Sequence, residues 1–460
     1  KNYVPSSERA NGIPDPSEVS AVIGGYNPCA SFTFHTDILL NEEQMENNLC
    51  ETLEDAGLTE DDLKKAGIYY PMNEPCIPPT PPPTTTITYP PFYPTTKKPI
   101  ISRKYGRNPY YRRYRPYGTG LNQNGNISNQ AVGPSIFFAT SSIEASTCVT
   151  FKKLKKRIKD ENFIEIVDGT GCHSEIGMRK TRGKQEISLG KTCREDGAGA
   201  GTAIHEILHA LGLYHEQARP DRDSSLDVVF GNIKSGRESQ FTTQGDTKTV
   251  TPYDYGSIMH YNNKAFAKKP TVFSLEAKTK TYQRTMGQRI GLSFFDVMTI
   301  NEVYCKNTCK GKELACKNGG YTDPSSKKKS ACSQCLCPDG LGGKLCEETE
   351  EAWPSGENCG GQINAESGWK KITISGKKRC HWLISAQSGK VEIEVQKTKF
   401  SCKDACSFYL ELKTSDDFRY IGPRFCCDTP SEKFKSDTNR ALILYKGNDG
   451  DSSTLRYRAA

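Results

Sequence analysis

The chain has 460 residues, which at ~150 residues per domain allows about three domains. Its apolar fraction of 35% is low for a compact globular chain, so part of it lies outside packed cores. The longest apolar runs, such as 441–445, fall far short of the ~20 residues that span a bilayer, which excludes a membrane span. The net charge of +8 is modest. Residues 103–115 are basic and Tyr-rich, but no nucleic-acid-binding module accompanies them, so we expect no nucleic-acid partner.

Nineteen cysteines are the strongest compositional signal. Most of them cluster in the last third of the chain at short, irregular spacings, a pattern typical of disulfide-stabilised modules made in an oxidising compartment. We therefore expect a secreted, extracellular protein. Asn126 begins an N-I-S sequon, which predicts N-glycosylation of an exposed segment.

The sequence assigns no domain to the first quarter of the chain. Residues 1–76 contain three cysteines and one predicted helix and are a candidate propeptide. Residues 77–117 begin with a Pro/Thr-rich spacer and end with a basic stretch. The R-R-Y-R sequence at its end predicts either a solvated linker or a processing site with cleavage after Arg115.

Residues 118–306 are predicted to form one domain, and the sequence has a globular texture from about residue 134. The segments 162–172 and 185–190 alternate as β-strands do, and 293–305 reads as a helix. Between them, "GTAIHEILHALGLYH" has the apolar spacing of one helix face and holds three of the seven histidines of the chain.

These three histidines predict a metal site. His205 and His209 are four residues apart and lie on one face of a helix, so both ring nitrogens reach one ion. Gly212 suits a left-handed helix end that turns the chain back and presents His215 as a third ligand. Three imidazoles with a fourth position open to water is a typical arrangement of catalytic zinc, and Glu206 stands beside the ligands as a general base. The alternative is a helix whose histidines belong to the core. H-E-x-x-H occurs by chance in about one such chain in a hundred, and the added Gly and His lower that roughly a thousandfold.

The segment "HEILHALGLYHEQARPDRD" (205–223), followed by "YGSIMHY" (255–261), resembles the astacin family of metzincin zinc endopeptidases. The resemblance covers roughly residues 145–306. It implies an α+β metzincin fold and one Zn²⁺ per subunit. His205, His209 and His215 would be the zinc ligands and Glu206 the general base and acid. Tyr261 would be a catalytic residue that can ligate zinc at rest and swings away to hydrogen-bond the oxyanion.

The same resemblance implies several supporting roles. Met259 would pack beneath the metal, and Glu216 would be a buried carboxylate that ties the mature amino terminus to the site. The "ISLG" segment (187–190) would be the edge strand that pairs with substrate. The implied disulfides of the peptidase are Cys148–Cys305 and Cys172–Cys193.

Two cysteine-rich modules are predicted after the peptidase. Residues 307–347 resemble an EGF-like module with six cysteines, including a Cys337–Cys346 pair, and residues 359–459 resemble a β-sandwich CUB domain with a first bridge Cys359–Cys380. With four cysteines in the peptidase and six in each module, sixteen of nineteen are paired. The remaining Cys29, Cys50 and Cys76 leave at least one thiol free or paired outside the chain.

The sequence departs from the family pattern at three places. No W-P-x-G-x-I-P-Y-type strand precedes Cys148, so the upper subdomain is expected to be incomplete. No Gly-Asp pair precedes the catalytic motif, so inhibition by an aspartate of a propeptide is not expected. Phe408 stands where calcium-binding CUB domains carry Asp, so no CUB calcium is expected.

The sequence therefore predicts a secreted zinc endopeptidase with two recognition modules. Its expected substrates are extracellular proteins or peptides, including matrix proteins, and protein or glycan partners of the CUB domain stay open. The competing hypothesis is a secreted adhesion or matrix-binding protein whose peptidase domain is weak or inactive.

Overall fold

The computed structural model describes residues 38–39, 132–152, 154, 162–179, 183–190, 193, 199–245, 247–325 and 331–460. The predictions for Cys29, Cys50, Cys76, the 77–117 linker and Asn126 lie outside the described residues. All described residues belong to one compact unit of the chain. No helix in this part is both long and apolar enough to cross a bilayer.

A small mixed sheet forms one wall of the peptidase. Its strands are β1 (Ile38–Leu39), β2 (Phe163–Val167), β3 (Cys172–Glu175) and β4 (Lys184–Leu189). They are ordered β1-β3-β4-β2, with β4 parallel to β2 and antiparallel to β3, and β1 parallel to β3. The prediction that "ISLG" is an edge strand is therefore wrong, because the backbone of β4 is already paired on both sides.

The described part of the peptidase also contains three helices. They are α1 (Val132–Glu144), α2 (Gly199–Ala210) and α3 (Phe294–Tyr304). Apolar side chains of α1, α2 and β4 share one core, which includes Ile143, Ile187 and Leu208, all fully buried. The Cys148–Cys305 disulfide joins the segment after α1 to the end of α3, and Cys172–Cys193 joins β3 to the segment before α2.

The chain between α2 and α3 has little regular structure. It contains β5 (Leu226–Val228) paired antiparallel with β6 (Leu275–Ala277), together with short turns around a core that includes Phe241. Helix α3 begins with a capping box in which Ser293 and Asp296 each accept a hydrogen bond from the other's backbone N–H. This cap satisfies backbone N–H groups that the first turn of α3 would otherwise leave without partners.

Residues 307–347 and the two residues that follow contain two short hairpins and three disulfides. The strands are β7 (Tyr321–Thr322), β8 (Cys335–Leu336), β9 (Leu341–Gly342) and β10 (Glu348–Thr349). The disulfides are Cys309–Cys332, Cys316–Cys335 and Cys337–Cys346. With so little apolar core, covalent links supply much of the order of such a module.

The C-terminal region is a two-sheet sandwich. Its strands are β11 (Gly361–Ala365), β12 (Lys370–Ser375), β13 (Arg379–Ala386), β14 (Val391–Lys399), β15 (Tyr409–Lys413), β16 (Arg424–Phe425), β17 (Lys433–Lys435), β18 (Arg440–Lys446) and β19 (Ser452–Ala459). One sheet has the order β11-β13-β18-β15-β16 and the other β12-β19-β14-β17. Both contribute inward-facing residues to one core, including Ile384 and Leu455, as alternation in half-buried strands requires. Three disulfides, Cys359–Cys380, Cys402–Cys427 and Cys406–Cys426, close the domain.

Candidate metal centre

Helix α2 places two imidazoles on one buried face. His205 and His209 are separated by four residues, so they stand one turn apart, and both are almost completely buried. Buried ring nitrogens require partners, and a metal ion between the two rings can bind one nitrogen of each. Their burial therefore suits a ligand that they share.

A glycine turn brings a third imidazole to the same point. Gly212 has φ of 97°, in the left-handed region that favours glycine, and its N–H donates to the carbonyl of His209. The helix ends there, and the chain turns back so that His215 is fully buried beside the other two rings.

The three Nε2 atoms form a nearly equilateral triangle. The Nε2–Nε2 distances are 3.1 Å for His205 and His209, 3.2 Å for His205 and His215, and 3.2 Å for His209 and His215. Zinc–nitrogen bonds of ~2.0–2.1 Å in a tetrahedron place two nitrogens about 3.3 Å apart. The donor set and its spacing therefore fit Zn²⁺, and these three are the one His/Cys/Asp/Glu cluster with metal-binding spacing among the described residues.

Backbone carbonyls orient the first two rings. Nδ1 of His205 lies 2.8 Å from the carbonyl oxygen of Ile258, and Nδ1 of His209 lies 2.7 Å from that of Leu213. A carbonyl only accepts, so each Nδ1 carries the proton and each Nε2 lone pair faces the shared point. Contacts of this kind hold ligand imidazoles in the tautomer that a metal needs.

The two predicted catalytic side chains lie at this cluster. Glu206 follows His205 on α2 and is 1% exposed, and a step of one residue turns its side chain about 100° from that ligand. The ring of Tyr261 lies 4.4 Å from the ring of His215, centroid to centroid. The backbone N–H of Tyr261 donates to Gln217 Oε1, which holds the tyrosine in register with the ligand turn.

Met259 and Glu216 occupy the neighbourhood of the ligands. Met259 is 1% exposed and shares the core of α2, while its carbonyl accepts the N–H of Glu216. The carboxylate of Glu216 accepts the N–H of Asp254 at 2.7 Å and lies 3.5 Å from Arg219 Nη1. Burial raises the pKa of Glu216 to about 8, although the Arg219 charge opposes that rise.

Sequence reasoning missed the groups that hold residues 255–261, the Met-turn segment. Asp296 accepts the Ser257 hydroxyl at 2.6 Å and the Ile258 N–H at 2.9 Å. Arg289 Nη1 donates to the carbonyls of Ile258 and His260 at 2.9 and 3.1 Å. The S-x-x-D pattern at 293–296 signals the helix cap but not the contact with a turn almost forty residues earlier.

A buried hydrogen bond between Tyr253 and His260 holds the end of the Met-turn segment. Nδ1 of His260 donates to the carbonyl of Tyr261 at 2.6 Å, so its Nε2 accepts the Tyr253 hydroxyl at 2.6 Å. Burial lowers the pKa of His260 to about 4, so the ring is neutral at pH 7. His260 is therefore a structural histidine and lies outside the ligand cluster.

The fold and the site together define a zinc metallopeptidase domain. Residues 124–305 match the sequence model of the Astacin peptidase family, and residues 358–457 match that of the CUB domain. The chain therefore contains an astacin peptidase domain and a CUB domain, which confirms the predicted fold class.

Named relatives agree with this assignment. The chain is 41% identical to zinc metalloproteinase nas-36 of Caenorhabditis elegans over 316 residues, which cover 66% of this chain and 49% of that protein. It is 38% identical to zinc metalloproteinase dpy-31 of Brugia malayi over 330 residues, 67% of this chain and 53% of that protein. The chain thus spans about half the length of the curated relatives it matches.

One solved structure with a similar sequence is that of high choriolytic enzyme 1, a hatching enzyme zinc-protease from Oryzias latipes. The two sequences are 34% identical. The match covers 38% of this chain and 84% of the hatching enzyme chain, with a TM-score of 0.35.

Proposed function

We propose that this chain is a secreted zinc endopeptidase that hydrolyses peptide bonds of extracellular proteins. The observation that carries the proposal is the triangle of Nε2 atoms of His205, His209 and His215, with Glu206 and Tyr261 beside it. A Zn²⁺ ion held there would lower the pKa of a water molecule bound to it and would polarise a substrate carbonyl.

Side chains around the ligands carry out proton transfer and stabilise the negative charge that develops on the substrate. Glu206 takes the proton of the attacking water and passes it to the leaving amine, the role of a buried general base that then acts as an acid. The hydroxyl of Tyr261 donates a hydrogen bond to the oxygen on which negative charge develops. Met259 supports the ligands by packing, and Glu216 offers a buried carboxylate for a positive group such as a processed amino terminus.

Eight disulfides among the described residues support an extracellular site of action. The six cysteines of 309–346 pair with one another, which supports an EGF-like module with its own disulfide framework. We expect this module and the CUB domain to bind protein or glycan partners, including matrix. Removal of residues 1–115 as a propeptide and glycosylation of Asn126 are further parts of the proposal.

The test is cleavage of gelatin and of a quenched peptide pool by the secreted chain, with and without a zinc chelator. We expect chelator-sensitive cleavage that Glu206→Ala lowers by at least about a thousandfold, because the water loses its base. The matched control is Glu302→Ala, which removes an exposed glutamate of α3 that pairs with Lys306 at the surface.

The competing hypothesis makes the opposite forecast. A chain that binds one zinc per molecule but cleaves nothing, even after trimming at Arg115, acts through its C-terminal modules as an adhesion or matrix-binding protein. Retained cleavage in Glu206→Ala would reject the proposed general base while leaving the zinc site standing.

A further inference from the structure

A segment of the CUB domain lies against the peptidase beside its metal centre. Residues 402–427, here called the docking segment, begin and end at the Cys402–Cys427 disulfide and contain the Cys406–Cys426 disulfide. Two crosslinks over so short a stretch restrict its conformations. The docking segment is therefore a preformed surface of the CUB domain.

One carboxylate of the docking segment joins two peptidase loops. Asp404 Oδ1 lies 2.8 Å from Lys264 Nζ and 3.7 Å from Arg284 Nη1, and its backbone carbonyl accepts the side-chain amide of Asn263 at 3.2 Å. The backbone N–H of Cys406 donates to the carbonyl of Arg284 at 3.0 Å. Backbone and side-chain contacts together fix the register of the two surfaces.

Apolar contacts place the docking segment on the Met-turn segment itself. Ile421 is 4% exposed and packs on Gly256 so closely that a Cβ added to that glycine would overlap it. Tyr420 packs edge-on against Phe295 with ring centroids 5.0 Å apart. The docking segment therefore packs against both the Met-turn segment and the first turn of α3.

Three hydrogen bonds connect this interface to His205, a proposed zinc ligand. Asp296, next to Phe295, accepts the Ser257 hydroxyl and the Ile258 N–H, as described above. The Ile258 carbonyl in turn accepts Nδ1–H of His205. Displacement of the turn therefore moves the group that orients His205.

A buried charge pair lies beside the same interface, where the backbone N–H of Arg424 donates to the Thr285 hydroxyl at 3.2 Å. Arg424 of the docking segment is paired through Nε with Glu411 at 2.8 Å, and its Nη1 has no hydrogen-bond partner within the described ranges. Oδ2 of Asp254, the residue before the Met-turn segment, also has no hydrogen-bond partner among the described residues. Burial raises the pKa of Asp254, and the positive charge of Arg424 is among the groups that oppose that rise. Removal of the CUB domain would take away this charge.

We propose that Ile421 and Asp404 of the CUB domain are positioning residues of the peptidase, which hold the Met-turn segment where Ile258 orients His205. This inference rests on the proposed function of the zinc site. The CUB domain is then a structural part of the active centre as well as a recognition module. Its sheet β12-β19-β14-β17 contains no residue of the docking segment and stays available to partners.

The experiment compares full-length Ile421→Asp and Asp404→Lys with the unchanged chain. The readouts are kcat and KM on a quenched peptide and amide hydrogen exchange of peptides covering 253–262. We expect kcat to fall about tenfold or more with KM nearly unchanged, and exchange in 255–261 to rise by a similar factor, because the turn opens locally without global unfolding.

Matched controls separate docking from general damage. Asp416→Lys makes the same charge change at an exposed position of the docking segment, and Thr373→Asp adds an acid on the opposite sheet. Neither should alter kcat or exchange. If Ile421→Asp does not fold, Asp404→Lys carries the test, and Lys264→Glu combined with it should restore part of the loss.

The exchange measurement also separates this inference from the proposed function. A chain that cleaves nothing but shows faster exchange at 255–261 in both variants refutes the peptidase proposal and keeps the positioning role. Unchanged exchange and unchanged kcat in both variants overturn the positioning role, whatever the activity of the parent chain.

Discussion

The carbonyl oxygen of Ile258 lies 2.8 Å from Nδ1 of His205 and 2.9 Å from Nη1 of Arg289. One backbone oxygen thus accepts hydrogen bonds from a proposed metal ligand and from a guanidinium group at the same time. His205 depends on this oxygen for its tautomer, so the position of the Met-turn segment decides how well the Nε2 triangle is formed.

Replacement of Arg289 tests this dependence. Arg289→Ala removes donors from the carbonyls of Ile258 and His260, which frees the turn to shift relative to His205. We expect zinc affinity to fall about tenfold, in the range usual for groups that hold a ligand in place. Competition with a chromogenic chelator measures it, and Arg237→Ala, at an exposed turn, is the control. Equal affinity in both variants would show that Ile258 is held without the guanidinium.

Tyr261→Phe separates catalysis from metal binding. The variant keeps the aromatic ring against His215 but loses the hydroxyl. We expect kcat to fall about a hundredfold, as for loss of one oxyanion donor, while zinc affinity and KM change little. Steady-state kinetics and a zinc titration on the same preparation decide the matter. A fall in zinc affinity with normal kcat at saturating zinc would assign Tyr261 to the ligand set instead.

Removal of the metal should lower the stability of the peptidase. A ligand that binds only the folded state stabilises it by about 2.7 kcal/mol at a hundredfold excess over Kd. We therefore expect the thermal midpoint to rise with added zinc in the unchanged chain and to be insensitive to zinc in a His205→Ala/His209→Ala double variant. A zinc-dependent midpoint that persists in the double variant would place the stabilising ion elsewhere.

The carboxyl group of Asp254 predicts a pH dependence of stability. Burial raises its pKa to about 7, the charge of Asp296 adds to this rise, and the nearby Ser293 side chain and the hydrogen bond from the Gly256 N–H oppose it. Because the folded-state pKa lies above the ordinary value of 3.8, this group favours folding fully below pH ~4, and the contribution is lost as pH rises to about 7.

Asp254→Asn removes this titration while it keeps the acceptor oxygen. The variant should match the unchanged chain near pH 4 and exceed it in unfolding free energy by up to about 4 kcal/mol above pH 7, from a shift of about three pKa units. Urea unfolding between pH 4 and 8 measures the difference. A gap that does not change with pH would mean that the carboxyl does not titrate in this range.

The metal centre was largely predictable because its signals are local. His205 and His209 are related by helix periodicity, and Gly212 marks the helix end, so the placement of three ligands within eleven residues needs no distant partner. The fold class of the peptidase and of the CUB sandwich came from the resemblance of residues 205–223 and 255–261 to the astacin family and of residues 359–459 to CUB domains. By contrast, the residues of a strand do not specify which strands pair with it. The prediction that "ISLG" is an edge strand is therefore wrong, since β4 lies between β2 and β3.

The sequence by itself determined the residues available to the candidate site, three histidines with a glutamate beside them, and the cysteine content of each predicted module. The tertiary structure alone decided what surrounds those residues. Asp296 reaches back thirty-eight residues to Ile258, and Ile421 reaches Gly256 from another domain. Such contacts arise from packing between segments that are far apart in the chain, and no periodicity or spacing in either segment encodes them.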